Sequence, residues 1–508
     1  MRLLITNSLK IVEDTDFEQI STKKLHSKLR MEGKVDVLLT WLKKSDKFYI
    51  APNISICESP ETGRGIVLSH GSIRKNDIIV SVPSSKQLNF HTILYHISKF
   101  NKELNIPGIT IDRKPINYED NIIEAENKAW ADPRYGLYSE LSKEFLLSLS
   151  SFQLVSFYIL VENFLLPKWT HNEIYSDWRP FFDVWPSMEE LRSIPAIWNC
   201  DPNSRYHSLI EYLPAASRKH MARISGLVRE DWETISEVVL KWNEIYGSLS
   251  CTKNSDKFTS DELFSLFVHV YFIINSRCLY AKIPLKIEDS SSNFTLVPYV
   301  DFMNHICESD LHCYPQLSPQ LRSEGENIIG IGQFTIRCGD HLYDNINEEL
   351  FLNYGAHSND FLLNEYGFVV DGNKWNYLDI SDEIIELIDD DKKEVKTFLL
   401  EHDYWGDYTI NETDISYRIF VALNYYVTRD ERRVRKFIEG YISEDYFKPK
   451  ISSVLKELLV SLTAKYTKTL SELTEKVSNL EDNLCLQNLI TIYKGYIKIL
   501  TQHLQDLQ

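Results

Sequence analysis

Two tyrosines set apart by one helix length, Tyr354 and Tyr366, carry the first chemical signal in this chain. Tyr354 ends the apolar run Leu350-Phe351-Leu352-Asn353, and Gly355 after it lets backbone approach a ligand closely. A polar turn from Ala356 to Asp360 follows, and an apolar run closed by Tyr366-Gly367-Phe368 brings a second phenol back to the same neighbourhood. Taken alone, the stretch reads more simply as strand, turn and helix with two core tyrosines.

Upstream residues change that balance. Gly63-Arg64-Gly65 is either a plain hairpin turn or a place where backbone N–H groups and a cation wrap a small ligand. It is not a dinucleotide fingerprint, since the third glycine and a following βαβ unit are missing. Asp301-Phe302-Met303-Asn304-His305 follows an apolar run directly, and Ser276-Arg277 closes a helical one. Asp301 alone would be a strand-end cap and Arg277 alone a surface ion pair. His305, Cys307, His312 and Cys313 suggest a metal cluster, but their spacing lacks the separated ligand pairs of structural zinc sites, so no metal is expected.

These residues need elements to hold them. Residues 1–34 form a weakly patterned lead-in, and Val35 to Lys43 has helical spacing. Pro60 to Leu68 reads as a turn feeding a strand, and Ile78 to Pro83 as another strand. From about 88 to 290 helical periodicity takes over, as in Phe145 to Leu166 and Leu263 to Leu279. The aromatic, proline-bearing stretch Ser176 to Pro186 suits a rigid, packed connection, with Trp178 and Phe181 in the core. Strands resume at Phe294 to Val300, Ile328 to Ile336 and Asn347 to Asn353, so the helical block interrupts a β-rich unit. Beyond 373 the chain is helical again. Apolar residues from Leu455 to Leu480 recur at three- and four-residue spacing, but the register slips near Thr469, which favours packed helices over a coiled coil.

Length allows two to four domains, and an apolar fraction of 43% supports a large core. Eight scattered cysteines and no secretory segment point to a reduced compartment, the cytoplasm with the nucleus as a second location. No run is long and apolar enough for a membrane span, so no membrane is expected. The net charge of −18 argues against direct nucleic-acid binding and favours a basic protein partner. The acidic stretch Asp379 to Asp391 is either a solvated face or a receiver for that partner. A monomer is expected.

Gly63-Arg64-Gly65, Val297-Pro298 with Asp301 to His305, Glu349 to Gly355, and Ser358-Asn359 with Tyr366-Gly367-Phe368 together resemble the SET-domain methyltransferases. The nearer likeness is to the branch holding the Rubisco large-subunit and fungal ribosomal-protein lysine methyltransferases. Ser176-x-Trp178-x-Pro180-Phe181-Phe182 and Ser276-Arg277 are similar to that branch too. The resemblance covers roughly 35–370 and implies an α+β fold. Its parts would be a β-rich core (35–90 and 291–372), a helical insertion (91–290) and a helical substrate-binding lobe (373–508). It also implies that the Asp301–His305 and Tyr354 segments cross in a pseudoknot.

The resemblance further implies S-adenosyl-L-methionine as cofactor, held by Gly63, Arg64, Gly65, Arg277, Asn304, His305 and Tyr354. Tyr354 would be the catalytic tyrosine, and Ser276, Asp301 and Tyr366 would shape the target-lysine channel. The expected activity is protein-lysine N-methylation of the translation machinery, a ribosomal protein first and an elongation factor second. Methylation of histidine on the same fold, and a non-catalytic interaction protein, are the alternatives.

Overall fold

The computed structural model describes residues 33–59, 63–107, 109, 132–247, 257–318, 332–389, 393–477 and 484–507. Its strands are β1 (Tyr49–Ile50), β2 (Ile54–Ser59), β3 (Gly63–Leu68), β4 (Ile78–Val82), β5 (Leu279–Tyr280), β6 (Phe294–Thr295), β7 (His312–Leu317), β8 (Phe334–Arg337), β9 (Glu349–Leu352), β10 (Tyr377–Asp379) and β11 (Thr409–Asn411). Seven make one sheet in the order β1-β4-β8-β7-β9-β3-β2. All neighbours in it are antiparallel except β7 and β9. β9 joins the two halves, pairing Leu350 with Ile66 on one side and Phe351 with His312 on the other. β-branched residues suit a pleated, buried surface, and Ile66, Ile79, Val80 and Val82 are fully buried in it.

Among the described residues the interruption between β4 and β6 carries helices and β5, a two-residue strand that the sequence pattern did not signal. Its helices include Phe90–Phe100, Ser151–Ile159, Ala215–Tyr246 and Ser260–Arg277. The last starts at a Thr259–Glu262 capping box, and its N-cap hydroxyl accepts from Glu262 N. It buries Phe267, Val270, Tyr271 and Ile274 and stops at Arg277, because Cys278 turns extended. That fixes the arginine at a helix end beside the sheet. Trp178 and Phe181 are buried, and Trp178 stands edge-on to Trp41.

The strand expected over Phe294 to Val300 falls short. Only Phe294 and Thr295 form a strand, with Leu296 bridging singly to Leu88; Pro298 has no N–H for a ladder, and Tyr299 at φ 72° turns the chain into a 3₁₀ turn at Val300–Phe302. Of the strand expected over Ile328 to Ile336, the part up to 331 lies outside the described residues, as does the lead-in through residue 32. Gly63-Arg64-Gly65 is also not a turn but the start of β3, paired with Ser59, Glu58 and Cys57.

Past the sheet, Ser358 caps the helix Asn359–Tyr366 by accepting from Phe361 N, and Gly367 ends it at φ 80° in the left-handed region. The elements described beyond it are helices and the ribbon β10–β11, which corrects an all-helical reading of this lobe. The long helices Glu444–Val477 and Leu484–Asp506 pack together; Leu455, Leu459, Leu462 and Tyr466 are buried, and Tyr466 meets the rings of Tyr493 and Tyr496. Within the acidic stretch, Asp382 pairs with Lys219 and Glu383 with Lys465, so part of it ties helices together.

Candidate active site

The site forms where the chain beyond the 3₁₀ turn runs alongside β9. Leu352 N–H donates to the Asn304 carbonyl (2.8 Å) and Ile306 N–H to the Leu352 carbonyl (3.1 Å), a parallel bridge. This crossing sets Tyr354 directly on the Asn304-His305 segment. Its N–H donates to His305 Nδ1 (3.1 Å), and its hydroxyl donates to the Met303 carbonyl (2.7 Å). The ring of Tyr366, at the end of its helix, lies 4.9 Å from that of Tyr354, with Phe368 6.0 Å from Tyr366. Among the described residues the Tyr366 hydroxyl has no hydrogen-bond partner.

Electrostatics keep this cluster neutral. Burial holds both phenols well above their ordinary range. Burial, then the neighbouring His312 and His357, pushes His305 down to about 4. His305 is therefore an uncharged imidazole whose Nδ1 is free of a proton and can accept from Tyr354.

A charged group flanks the phenols. Arg277 Nη1 donates to the Asp301 carbonyl (2.8 Å) and to its Oδ2 (3.2 Å). The Asp301 side chain is fully buried, and burial raises its carboxyl despite Arg277 and Arg64. Among the described residues, Asp301 Oδ1 and Arg277 Nε are both buried without a partner. Arg64 donates to the Val184 carbonyl and places its guanidinium 5.4 Å from the centre of the Phe302 ring. Burial, then nearby Arg277, lowers its pKa.

The third part is a carboxamide. Asn304 Nδ2 donates to the Arg64 carbonyl (3.1 Å) and to Glu349 Oε1 (2.7 Å). A side chain at Gly65 would run into Glu349, with Cδ 2.7 Å from the added carbon. Gly63 opens β3 at φ 73° with open space around it. The crossing thus gathers Gly65, Arg64, Arg277, Asp301, Asn304, His305, Tyr354 and Tyr366. Ser276 is adjacent, but its hydroxyl turns back onto the Phe272 carbonyl (2.7 Å).

A Saccharomyces cerevisiae protein, ribosomal lysine N-methyltransferase 2, is 99% identical over 478 residues, 94% of this chain and 100% of that protein. The chain belongs to the ribosomal lysine N-methyltransferases. A Schizosaccharomyces pombe member, ribosomal lysine N-methyltransferase set11, is 28% identical over 259 residues, 47% of this chain and 61% of that protein. A family model described as the ribosomal lysine N-methyltransferase 2 C-terminal domain matches residues 376–506. Among solved structures, Rubisco LSMT bound to AdoMet aligns over 93% of this chain and 91% of its own (TM-score 0.53, 15% identity). Rubisco LSMT bound to sinefungin and monomethyllysine covers the same shares (TM-score 0.52, 16% identity). At these identities the likeness establishes the SET-domain fold.

In this ribosomal lysine N-methyltransferase several contributors escaped the sequence reading. Glu349 stood in a quoted run, but its bond to Asn304 depends on strand pairing. The Met303 carbonyl acts through main chain, which residue type does not encode. Glu365, beside Tyr366, accepts from His220 Nε2 (2.6 Å), Arg223 (3.2 Å) and Asn275 Nδ2 (2.8 Å), which ties the Tyr366 helix to the helix that ends in Arg277. Of the four residues weighed as metal ligands, His305 and Cys307 meet each other, Sγ to Nε2 at 3.7 Å, and the contacts of the set are otherwise to different groups. Cys307 bonds Asn373, His312 bonds the Ile306 carbonyl, and Cys313 lies by Tyr343. Among the described residues no group of three or more potential ligands is placed to hold a metal.

Proposed function

We propose that this enzyme methylates the ε-amine of a lysine in a ribosomal protein, with S-adenosyl-L-methionine as donor and Tyr354 as its catalytic residue. The observation that carries the reading is the Tyr354 hydroxyl, 2.7 Å from the Met303 carbonyl and beside Tyr366, on the segment that crosses Asn304-His305. The residues present fit the cofactor. Asp301 Oδ1 and Arg277 Nε are buried and, among the described residues, lack partners.

When bound, the cofactor supplies a methyl group on a positively charged sulfur. The chain's own work is to present an amine on the axis opposite that sulfur, and such alignment is worth several kcal/mol. A free lysine has a pKa of about 10.4. The aromatic walls of Tyr354, Tyr366 and Phe368 disfavour its charged form. Neutral phenols and the Met303 carbonyl can then orient the amine without competing for the methyl group. The net charge of −18 suits a basic protein partner and would steer it in. On this reading the core (35–90 and 291–372) and the insertion (91–290) build the site, and the lobe from 373 onward docks the substrate.

The test incubates the protein with methyl-labelled cofactor and ribosomal proteins from cells lacking this activity, with Tyr354→Phe in parallel. Label recovered as methyl-lysine after acid hydrolysis, and lost in Tyr354→Phe, is expected. Equal labelling by both proteins removes Tyr354 from its role, and methyl-histidine would replace the acceptor.

A further inference from the structure

The two phenols of the site stand on different elements, so their separation has to be fixed from outside. Tyr366 ends the Asn359–Tyr366 helix, and Phe361 and Glu365 occupy positions i and i+4 of that helix, side by side on one face. Both meet one residue of the helical insertion, His220 on the Ala215–Tyr246 helix. His220 Nε2 lies 2.6 Å from Glu365 Oε1, and its ring meets Phe361 edge to face with 5.3 Å between centres. Phe361 in turn stacks on His357 (3.9 Å, 12° between planes), and His357 Nε2 donates to the Tyr354 carbonyl (3.1 Å). Two paths therefore converge on one imidazole. Through Glu365 it reaches the residue next to Tyr366, and through Phe361 and His357 it reaches Tyr354.

The acidic end of this arrangement is built to stay ionised. Asn275 Nδ2 donates to Glu365 Oε2 (2.8 Å) and to the Glu365 carbonyl (3.1 Å), and Arg223, one turn after His220, donates to Oε1 (3.2 Å). Burial would raise this carboxyl, but His220, Asn275 and Arg223 outweigh it and hold it below the ordinary carboxylate range. A carboxylate has no proton to give, so the His220 nitrogen facing it carries the hydrogen. Bonds of this kind to an ionised acceptor are the strong ones, and the two side chains are only 18% and 13% exposed. The same two helices are already fastened about a turn earlier by Ser217 and Asp360 (2.7 Å). Joining them is therefore not what the second tie adds. It adds a fixed point at the last residue before Tyr366.

We infer that His220 and Glu365 form one positioning unit, which sets the Tyr366 ring against the Tyr354 ring (4.9 Å between centres) for methyl transfer. The inference rests on the reading of these phenols given above. It adds two residues outside the expected set, one of them from the insertion.

Kinetics separate this role from a plain loss of structure. Wild type, His220→Ala, Glu365→Ala, Glu365→Gln and the double alanine variant would be assayed with methyl-labelled cofactor and the same ribosomal-protein preparation. Asp360→Ala serves as the stability control, and melting temperatures set an assay temperature at which every protein is folded. His220→Ala and Glu365→Ala are each expected to lose about fivefold or more in apparent kcat, with the cofactor KM within about twofold of wild type, because a small misplacement far from the chemistry is costly. Members of one unit do not add, so the double variant should fall no more than about threefold below the weaker single one. Glu365→Gln, whose Oε1 still accepts from His220 Nε2, is expected to stay within about threefold of wild type. Asp360→Ala should lose stability without a matching fall in kcat.

A smaller loss in either alanine variant overturns the inference, as do losses that multiply in the double variant. It is equally overturned if Asp360→Ala falls as far as Glu365→Ala, or if Glu365→Gln does. Should Glu365→Ala not fold, His220→Ala set against Glu365→Gln decides by the same thresholds. A Tyr354→Phe protein as active as wild type overturns the reading of the phenols and this inference together. Active His220→Ala and Glu365→Ala beside an inactive Tyr354→Phe remove the inference alone.

Discussion

Two deep carboxyls, Asp301 and Asp360, show what separates the reacting side of this molecule from its supporting side. Burial is the largest influence on both and raises both. Around Asp360 the hydrogen bonding is complete. Oδ1 accepts from Ser217 (2.7 Å) and Oδ2 from the Tyr496 hydroxyl. One side chain thereby ties the Asn359–Tyr366 helix to the Ala215–Tyr246 helix and to the Leu484–Asp506 helix. Asp301 meets Arg277 through Oδ2 and leaves Oδ1 without a partner, as Arg277 leaves Nε. A buried polar atom without a partner costs about 1–3 kcal/mol, so folding alone does not favour it. The satisfied acid is a structural tie, and on the proposed reading the unsatisfied one is kept for a ligand.

The contrast can be broken or sharpened by substitution. The largest expected effect is on Tyr354→Phe, about a hundredfold or greater loss of methyl transfer in a labelled-cofactor assay with the melting temperature kept. Asp360→Ala is expected to lower unfolding free energy by about 2–4 kcal/mol in urea titrations, because it orphans two buried hydroxyls. At temperatures where that variant stays folded, its turnover should fall much less than that of Asp301→Asn. Asp301→Asn is expected to lose about tenfold or more in methyl transfer while unfolding near the wild-type midpoint. If Asp360→Ala and Asp301→Asn lose activity equally while folded, the division fails.

pH sharpens the same comparison. Asp360 has a raised folded pKa, so its contribution is fully present below the ordinary aspartate value of about 3.9 and is lost as pH rises through the raised one. Asp360→Asn should flatten that fall. His305 has the opposite sign. Held at about 4 against an ordinary value near 6.5, it makes stability drop as pH falls across that interval, and His305→Gln should weaken the slope. Urea midpoints measured across pH 3.5–8 check both. The smallest effect belongs to Ser276→Ala, whose hydroxyl bonds its own helix. Methyl transfer within about twofold of wild type and stability within about 0.5 kcal/mol are expected.

Much of this arrangement was legible before the coordinates. The runs around Tyr354, Asp301 to His305 and Gly63 to Gly65 pointed to one fold, and that fold brings these residues together. The long helical block and the packed tail helices followed from their periodicity. Less legible were features decided by backbone. Tyr299 adopts a left-handed conformation that its side chain does not announce, so the strand expected through Val300 ended at Thr295. Gly63-Arg64-Gly65 looked like a turn because two glycines usually mark one, whereas close packing against Glu349 is what Gly65 serves. Asp360 read as part of a polar turn, and Glu365 was not singled out. Only the packing of three distant helices reveals them as ties.

The place of β9 in the sheet also governs when this enzyme becomes competent. Without it, β1-β4-β8-β7 and β3-β2 are two separate patches with no shared ladder. β9 is synthesised after every other strand of that sheet, and Tyr354 emerges only two residues behind it. A nascent chain that has not yet released this segment from the ribosome therefore has neither the Tyr354 phenol nor the seam that closes Asn304 against Gly65.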